Sequence, residues 1–281
     1  MKYVITGGTG QLGTELTKML ENLGWDFTSF DSSALNIENQ EQVKNILFKE
    51  QPDVVFHCAA YTAVDAAEDE GKDRNWSVNV EGTKNVAEIC RELNCQMVYI
   101  STDYVFDGVS NEEYKETDQT NPLNEYGKAK LAGEQIVKEI IEKHYTIRTS
   151  WVYGEYGANF VYTMKRLAEE HSELTVIDDQ LGRPTWTKNL AEFMIYLVET
   201  NQDYGTYHFS NLGSGSWFDF AEEILKDSKV RVEPILTRDY YQKAQRPKKS
   251  IMSLSKALNT GFVIPHWKDA LSEFKQSINN N

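Results

Sequence analysis

The chain has 281 residues, and 29 lysines and arginines against 43 aspartates and glutamates give it a net charge of −14 at pH 7. Such a surface repels nucleic acids and anionic membranes, so we expect neither as a partner, and a nucleotide needs a local binding feature. The sequence has no run of about 18 apolar residues and no signal-peptide core, which predicts a cytoplasmic protein. Three cysteines without Cys-x-x-Cys spacing and five scattered histidines suggest no metal ligands.

Short apolar strands alternate with amphipathic helices through the first half of the chain. Strands are predicted at residues 2–6, 26–30, 54–58, 97–101 and 145–148, and the first helix at residues 11–23. This alternation is typical of a parallel sheet that helices cover on both faces. We therefore predict an α/β fold with a doubly wound parallel sheet of the Rossmann type.

A glycine cluster lies between the first strand and the first helix. Gly7, Gly10 and Gly13 permit a tight turn, so that a pyrophosphate can approach the backbone at the helix N-terminus. Asp31 follows Gly13 by 18 residues, at the end of the second strand, where a carboxylate accepts hydrogen bonds from an adenosine ribose. The pattern predicts a dinucleotide site. Because a carboxylate repels a 2′-phosphate, NADH is slightly favoured over NADPH, while a turn without a ligand is the alternative.

Tyr126 and Lys130 are four residues apart, on one face of a helix predicted over residues 126–136. This helix follows the fourth strand, near the sheet edge where α/β proteins bind ligands. A phenol releases its proton reluctantly at pH 7, and a nearby cation lowers that barrier by stabilising the phenolate. Tyr126 is thus a candidate proton donor for a ketone reduced by hydride, with the Thr102 hydroxyl at the carbonyl oxygen. An exposed tyrosine beside a solvated lysine is the alternative.

Glycines and prolines interrupt the second half more often, between short helices predicted at residues 190–198, 217–225 and 267–274. No linker separates the halves. We place a dinucleotide-binding core at residues 1–150 and a smaller, interleaved substrate-binding region at residues 151–281, some of whose segments return to the core.

Several motifs, in order along nearly the whole chain, resemble the extended short-chain dehydrogenases/reductases. They lie at residues 7–13, 59–65, 101–108, 122–134, 148–154, 159–160, 179–185 and 246–247. The resemblance implies reduction of the C4 ketone of dTDP-4-dehydro-L-rhamnose to dTDP-L-rhamnose with NADH or NADPH, in the synthesis of surface polysaccharide. We also expect a monomer or homodimer whose partner is the dTDP-sugar.

The resemblance assigns roles to individual residues. The implied catalytic residues are Thr102, Tyr126 and Lys130. The implied dinucleotide contacts are Gly7, Gly10, Gln11, Leu12, Gly13, Asp31, Asn36, Ile37, Ala59, Ala60, Tyr61, Tyr126 and Lys130. The implied substrate contacts are Thr102, Asp103, Tyr104, Trp151, Asn159 and Arg246. From the residues alone, two alternatives stay open: that Trp151 is a core residue, and that the basic loop around Arg246 is solvated.

Three rival functions belong to related proteins. A nucleotide-sugar dehydratase is disfavoured, because such enzymes carry Asp-Glu after the catalytic threonine and Asp103 is followed here by Tyr104. A 4-epimerase uses the same hydride, tyrosine and lysine, so it stays open. A regulatory subunit that binds a dinucleotide without turnover also stays open. Glu15, on the first helix, is expected to be a solvated residue.

Overall fold

The computed structural model describes residues 1–279, which form an α/β fold. The strands are β1 Lys2–Thr6, β2 Asp26–Phe30, β3 Val54–His57, β4 Gln96–Thr102, β5 His144–Thr149, β6 Val152–Tyr153, β7 Glu173–Ile177, β8 Leu181–Gly182, β9 Thr185–Trp186, β10 Gly205–His208, β11 Gly215–Ser216 and β12 Arg231–Ile235. The helices are α1 Gln11–Leu23, α2 Gln40–Glu50, α3 Lys72–Trp76, α4 Thr83–Leu93, α5 Glu125–Ile140, α6 Phe160–Glu170, α7 Thr187–Glu199, α8 Trp217–Leu225, α9 Ser255–Asn259 and α10 Trp267–Asn279.

A parallel sheet of six strands forms the centre of the described residues, in the order β2-β1-β3-β4-β5-β10. The direction of winding reverses between β1 and β3, and a crevice at the carboxyl ends of these strands is the usual ligand site of such sheets. The predicted doubly wound Rossmann-type sheet is therefore confirmed. Strands β1 and β2 and helices α1 and α8 also have the predicted bounds.

Apolar side chains cover both faces of the sheet, which explains why the inner strand β3 is mostly hydrophobic. On one face, Leu16 of α1 packs with Leu190 and Phe193 of α7. On the other face, α2, α4 and α5 contribute Val43, Val86 and Val137. Helix α7 and strand β10 come from the second half of the chain, so that half completes both the sheet and its cover.

The rest of the second half packs around a separate aromatic cluster that includes Tyr153, Trp186, Phe220 and Phe274. Short strand pairs, β7 with β12, β8 with β11 and β6 with β9, lie around this cluster. The division into residues 1–150 and 151–281 stays a prediction, and its last two residues lie outside the described part. Within residues 1–279, no helix is long and apolar enough to cross a membrane.

The expectation that Glu15 is solvated is wrong. Its side chain is buried, with 8% of the residue exposed, and it accepts a hydrogen bond of 2.9 Å from the Thr187 hydroxyl. The cause is the packing of α7 on α1, which no local pattern in α1 reveals. Burial raises the pKa of the Glu15 carboxyl.

Candidate active site

The glycine turn after β1 is too crowded for side chains at two of its positions. Gly7 has φ +69°, and a Cβ atom there would lie 2.6 Å from the amide nitrogen of Ala59. A Cβ atom on Gly13 would lie 2.1 Å from the carbonyl oxygen of Gly7. Because these contacts are with backbone atoms, only glycine allows the turn to fold this tightly against β3 and α1.

The N-terminus of α1 has the properties of an anion site. Gly10 is the N-cap residue and supplies no side-chain hydrogen bond, so the first amide groups of the helix have no side-chain cap. The buried Oε1 atom of Gln11 has no hydrogen-bond partner among residues 1–279. Together with Leu12, these residues fit a pyrophosphate and its neighbouring polar groups.

The loop after β2 holds Asp31 in a fixed position. One carboxylate oxygen, Oδ1, accepts hydrogen bonds from the Ser33 amide at 2.9 Å, the Ser33 hydroxyl at 2.7 Å and the Ala34 amide at 2.8 Å. These contacts lower the pKa of Asp31, the Ser33 hydroxyl contributing most. The other oxygen, Oδ2, makes none of these bonds, so the carboxylate keeps an acceptor for a ribose hydroxyl.

Asn36 and Ile37 are neighbours in the sequence, but the Asn36 side chain bonds within its own loop and the Ile37 side chain is buried in the core. The Asn36 side-chain oxygen accepts a hydrogen bond of 3.1 Å from the Glu38 amide. The Ile37 side chain is buried in the core cluster between the sheet and its helices. A dinucleotide contact at these two positions stays a prediction.

The loop after β3 is held from both sides. The Ala59 amide donates to the Thr6 hydroxyl at 3.3 Å. Tyr61 exchanges two hydrogen bonds with the buried Asn79 side chain, its amide donating at 3.1 Å and its carbonyl accepting at 2.9 Å. Ala60 between them is exposed. This loop therefore lies beside the glycine turn, where a dinucleotide contact is expected, and Asn79 is a supporting residue that the sequence analysis missed.

Tyr126 lies in the first turn of α5, close to the end of β4. Asn124 caps the start of this helix, because its side-chain oxygen accepts a 2.7 Å hydrogen bond from the Gly127 amide. The Thr102 hydroxyl lies near enough to the Tyr126 phenol to oppose the rise in its pKa, and the Tyr126 ring packs edge-on against Tyr104, with 6.2 Å between centroids. The structure thus brings together Thr102 and Tyr126, as the sequence predicts.

Lys130 lies one turn further along α5, and 2% of the residue is exposed. Its ammonium is 4.1 Å from the centroid of the Tyr99 ring, and no carboxylate among residues 1–279 forms a salt bridge with it. Burial lowers the pKa of Lys130 to about 7, while the nearby Glu134 opposes the shift. Glu134 is itself held by Arg148 through hydrogen bonds of 2.9 and 2.7 Å. A buried cation without an ion pair is costly, which is typical of a functional site.

The pKa of Tyr126 differs from the simple expectation that Lys130 lowers it. Burial raises this pKa above its ordinary value of 10.0, Asp103 and Tyr104 raise it further, and the Thr102 hydroxyl opposes them. The protein alone therefore keeps the phenol neutral. A neutral phenol is the form that donates a proton, so the shift agrees with a reduction.

Arg246 is brought to this site from the far end of the sequence. Its guanidinium donates to both carboxylate oxygens of Asp65, at 3.1 and 2.6 Å, and lies near enough to the Tyr104 phenol to oppose the rise in its pKa. The Asn124 side chain donates to the Gln245 carbonyl at 2.9 Å, which ties the same loop to α5. Arg246 is therefore positioned beside the candidate catalytic residues, with its charge shared by Asp65. Contact with a diphosphate stays a prediction.

Trp151 and Asn159 lie in the second half of the chain, and both contact neighbouring residues of that half. Trp151 stacks on Trp217 with 3.7 Å between centroids and an interplanar angle of 14°, so Trp217 is a second residue that the sequence analysis missed. The Asn159 side chain caps α6 by accepting from the Tyr162 amide at 3.1 Å, and it donates to the Gly154 carbonyl at 2.9 Å. A substrate contact at either position stays a prediction.

Comparison with known proteins agrees with this geometry. Residues 1–280 match the family described as RmlD substrate binding domain. The chain is 39% identical to the spore coat polysaccharide biosynthesis protein SpsK of Bacillus subtilis, covering 98% of this chain and 97% of the relative. It is 38% identical to the dTDP-4-dehydrorhamnose reductase of Aggregatibacter actinomycetemcomitans, covering 98% of each.

A solved structure gives the same result. The dTDP-4-dehydrorhamnose reductase of Bacillus anthracis, in complex with NADP, superimposes with a TM-score of 0.95 at 42% identity, covering 98% of this chain and 99% of that one. The family match extends over both halves, so the glycine turn, the Tyr126 helix and the Arg246 loop all lie within it. The chain therefore belongs to the RmlD substrate binding domain family.

Proposed function

We propose that this protein reduces the C4 ketone of dTDP-4-dehydro-L-rhamnose to dTDP-L-rhamnose with NADH or NADPH, for dTDP-rhamnose and surface polysaccharide synthesis. The observation that carries the proposal is the buried Lys130, which has no salt bridge among residues 1–279 and lies one helical turn from the Tyr126 phenol, beside the Thr102 hydroxyl. Relatives covered almost completely by this chain are named dTDP-4-dehydrorhamnose reductase. The protein is an NAD(P)H-dependent oxidoreductase in this proposal.

The residues divide the reaction between them. When bound, the dinucleotide supplies the hydride for the ketone carbon. Tyr126 donates its proton to the oxygen as negative charge develops there, and Thr102 hydrogen-bonds the same oxygen. Lys130 would hold a ribose hydroxyl of the dinucleotide, and it stabilises the phenolate that Tyr126 becomes. The ribose hydroxyl and the phenolate would both stabilise the charged form of Lys130.

The dinucleotide-binding residues support this assignment. The turn excludes side chains at Gly7 and Gly13, and the first turn of α1 has no side-chain cap. Within residues 1–279, the buried Oε1 atom of Gln11 has no hydrogen-bond partner. These three features suit a pyrophosphate and its sugars. The Asp31 carboxylate favours a ribose 2′-hydroxyl over a 2′-phosphate, whereas the Bacillus anthracis relative was solved with NADP. The protein is proposed to use both forms, with NADH slightly preferred.

The substrate side is proposed from residues of both halves. Arg246 is the candidate partner of the nucleotide diphosphate, with Thr102, Asp103, Tyr104, Trp151 and Asn159 nearer the sugar. A cytoplasmic location, a monomeric or homodimeric state and the absence of a nucleic-acid partner belong to the same proposal.

An assay of purified protein tests the proposal. Oxidation of NADH and of NADPH is followed by absorbance with dTDP-4-dehydro-L-rhamnose as substrate, and the sugar product is identified by mass and NMR. We expect one dinucleotide oxidised for each sugar reduced. Dinucleotide binding without turnover would refute a reductase and favour a regulatory subunit. Inversion at C4 without net oxidation would instead favour an epimerase.

A further inference from the structure

The side chains around the buried Lys130 offer its ammonium little compensating charge. Burial lowers the pKa of the His57 imidazole to about 3, so this ring is neutral. Burial also raises the pKa of the Cys58 thiol to about 12, so the thiol is neutral as well. Glu134, on the same helix, is already in a buried salt bridge. The ammonium instead lies over an aromatic ring, 4.1 Å from the centroid of Tyr99.

Three contacts fix the Tyr99 ring in front of Lys130. The Tyr99 hydroxyl donates to the Lys130 carbonyl at 3.2 Å, which ties the ring to α5. Gly133, on the same helix, leaves space for this hydroxyl, since a Cβ atom there would clash with its oxygen. On β3, the His57 ring stacks beside Tyr99 with 5.9 Å between centroids and 18° between planes. These contacts hold the ring where its face meets the ammonium.

His57 is itself held at both ring nitrogens. Its Nδ1 atom is 2.8 Å from the Thr6 hydroxyl, and its Nε2 atom is 3.2 Å from the Thr83 hydroxyl. The Thr6 hydroxyl also accepts from the Ala59 amide at 3.3 Å, in the loop that we expect to contact the dinucleotide. Because the imidazole cannot turn without losing both bonds, it gives Tyr99 a rigid neighbour.

We propose that the face of the Tyr99 ring positions the Lys130 ammonium for catalysis, in place of a carboxylate. An ammonium is attracted to the negative face of an aromatic ring, most strongly where water is excluded. A carboxylate would compete with the ribose hydroxyl and the phenolate for the ammonium protons, whereas a ring face leaves those protons available. Tyr99 acts through Lys130, so it is a positioning residue. This inference rests on the proposed reductase function and deepens it.

The ring should also strengthen the binding of the proton to Lys130. Since burial lowers the pKa of Lys130 to about 7, a weaker ring contact should reduce the charged fraction near neutral pH. The titratable groups around the ammonium and the ring come from three elements, and they are Tyr126 and Glu134 of α5, His57 and Cys58 at the end of β3, and Tyr99 of β4.

Phenylalanine analogues at position 99 test the proposal. Tyr99→Phe removes the hydroxyl and keeps the ring face, while Tyr99→trifluorophenylalanine has nearly the same size and a much less negative face. With dTDP-4-dehydro-L-rhamnose at pH 8, we expect a kcat at least about fivefold lower for the trifluorinated protein than for Tyr99→Phe. This ratio should be smaller at pH 6, where more of Lys130 is protonated in both proteins. A purely structural effect of fluorine would not depend on pH in this way.

Nuclear magnetic resonance of lysines labelled at the ε-carbon measures the contact without turnover. The Lys130 signal is assigned by its loss in Lys130→Met. In the dinucleotide-free protein, its titration midpoint should be lower by about half a pH unit or more in Tyr99→trifluorophenylalanine than in Tyr99→Phe.

Tyr207 provides the matched control. It is buried in the same sheet, its ring centroid is 3.9 Å from the Lys256 ammonium, and it has no part in the proposed reaction. Tyr207→trifluorophenylalanine and Tyr207→Phe should therefore have equal kcat values at both pH values.

Three results would overturn the proposal: equal kcat values for the two proteins changed at position 99, a ratio that is the same at both pH values, or an unchanged Lys130 titration. Dinucleotide binding by the wild type without reduction of the sugar would refute the proposed function and the catalytic role of Tyr99 with it. The Lys130 titration would still show whether the ring holds the charge, so the two failures are distinguishable.

Discussion

Burial of the Lys130 ammonium destabilises the folded protein, although the proposed reaction needs this residue. Replacing Lys130 by methionine tests both effects, because stability and turnover should change in opposite directions. Methionine has nearly the same length and no charge, so it should fill the same space below Tyr99. Burial lowers the pKa of Lys130 from 10.5 to about 7. The folded protein therefore binds this proton less tightly than the unfolded chain does, and Lys130→Met should raise the free energy of unfolding while it abolishes most of the turnover.

The expected change in the free energy of unfolding follows from the pKa shift of Lys130. A difference of about 3.5 pKa units at about 1.4 kcal/mol each gives an upper limit of about 5 kcal/mol. The contact of the Lys130 ammonium with the Tyr99 ring stabilises the wild-type protein by about 1 to 2 kcal/mol, and methionine loses this contact. We expect a net gain of about 3 kcal/mol for Lys130→Met. Because the folded pKa is depressed, the full gain is present below pH 7, and it declines as the pH rises from 7 towards 10.5.

Urea unfolding of the dinucleotide-free proteins at pH 6, 8 and 10 measures this effect. Lys128→Met is the matched control, since Lys128 lies on the same helix with 48% of its side chain exposed and pairs with Glu125. Glu125, with 12% of its side chain exposed, keeps a second salt bridge with Lys72 when Lys128 is replaced, so the control should lose modestly in stability at each pH. A Lys130→Met protein less stable than wild type at pH 6, or a gain independent of pH, would refute the reasoning.

Two further substitutions test the supporting structure. Gly13→Ala places a methyl group 2.1 Å from the Gly7 carbonyl oxygen, so the dinucleotide Kd measured by fluorescence titration should rise at least about tenfold. Glu134→Gln leaves Arg148 buried without its ion pair, and urea unfolding should show a loss of about 3 kcal/mol.

Each of these substitutions has a control on the same helix. Gly24→Ala, at the other end of α1, should lower stability because Gly24 has φ +66°, yet leave the dinucleotide Kd unchanged. Glu139→Gln, at an exposed position of α5, should leave stability nearly unchanged. An unchanged Kd for Gly13→Ala, or a Glu134→Gln protein as stable as wild type, would contradict the roles assigned to these residues.

The sequence predicts the central sheet well because its signals are local. Strand β3 is apolar up to His57 because helices cover both faces of the sheet, and the glycine turn has one strand before it and one helix after it. Tyr126 and Lys130 could be placed on one face of α5 from their spacing alone. Their position near β4 follows from the order of strands, which the alternation of elements predicts.

Contacts between distant segments could not be predicted in this way. Arg246 pairs with Asp65 and Ser250 bonds Asp103, although more than 140 residues separate each pair. The burial of Glu15 depends on packing against Thr187, which is 172 residues away in the sequence. Such pairings depend on how the second half folds back on the sheet, and no periodicity or motif within a segment carries that information.

The central claim is that Tyr126 donates the proton in ketone reduction, and steady-state kinetics of Tyr126→Phe test it most directly. Phenylalanine keeps the ring against Tyr104 and removes only the hydroxyl. We predict a kcat about 10²- to 10⁴-fold below wild type, with the dinucleotide Kd changed by less than about twofold. A Tyr126→Phe protein that turns over dTDP-4-dehydro-L-rhamnose at nearly the wild-type rate would contradict the claim.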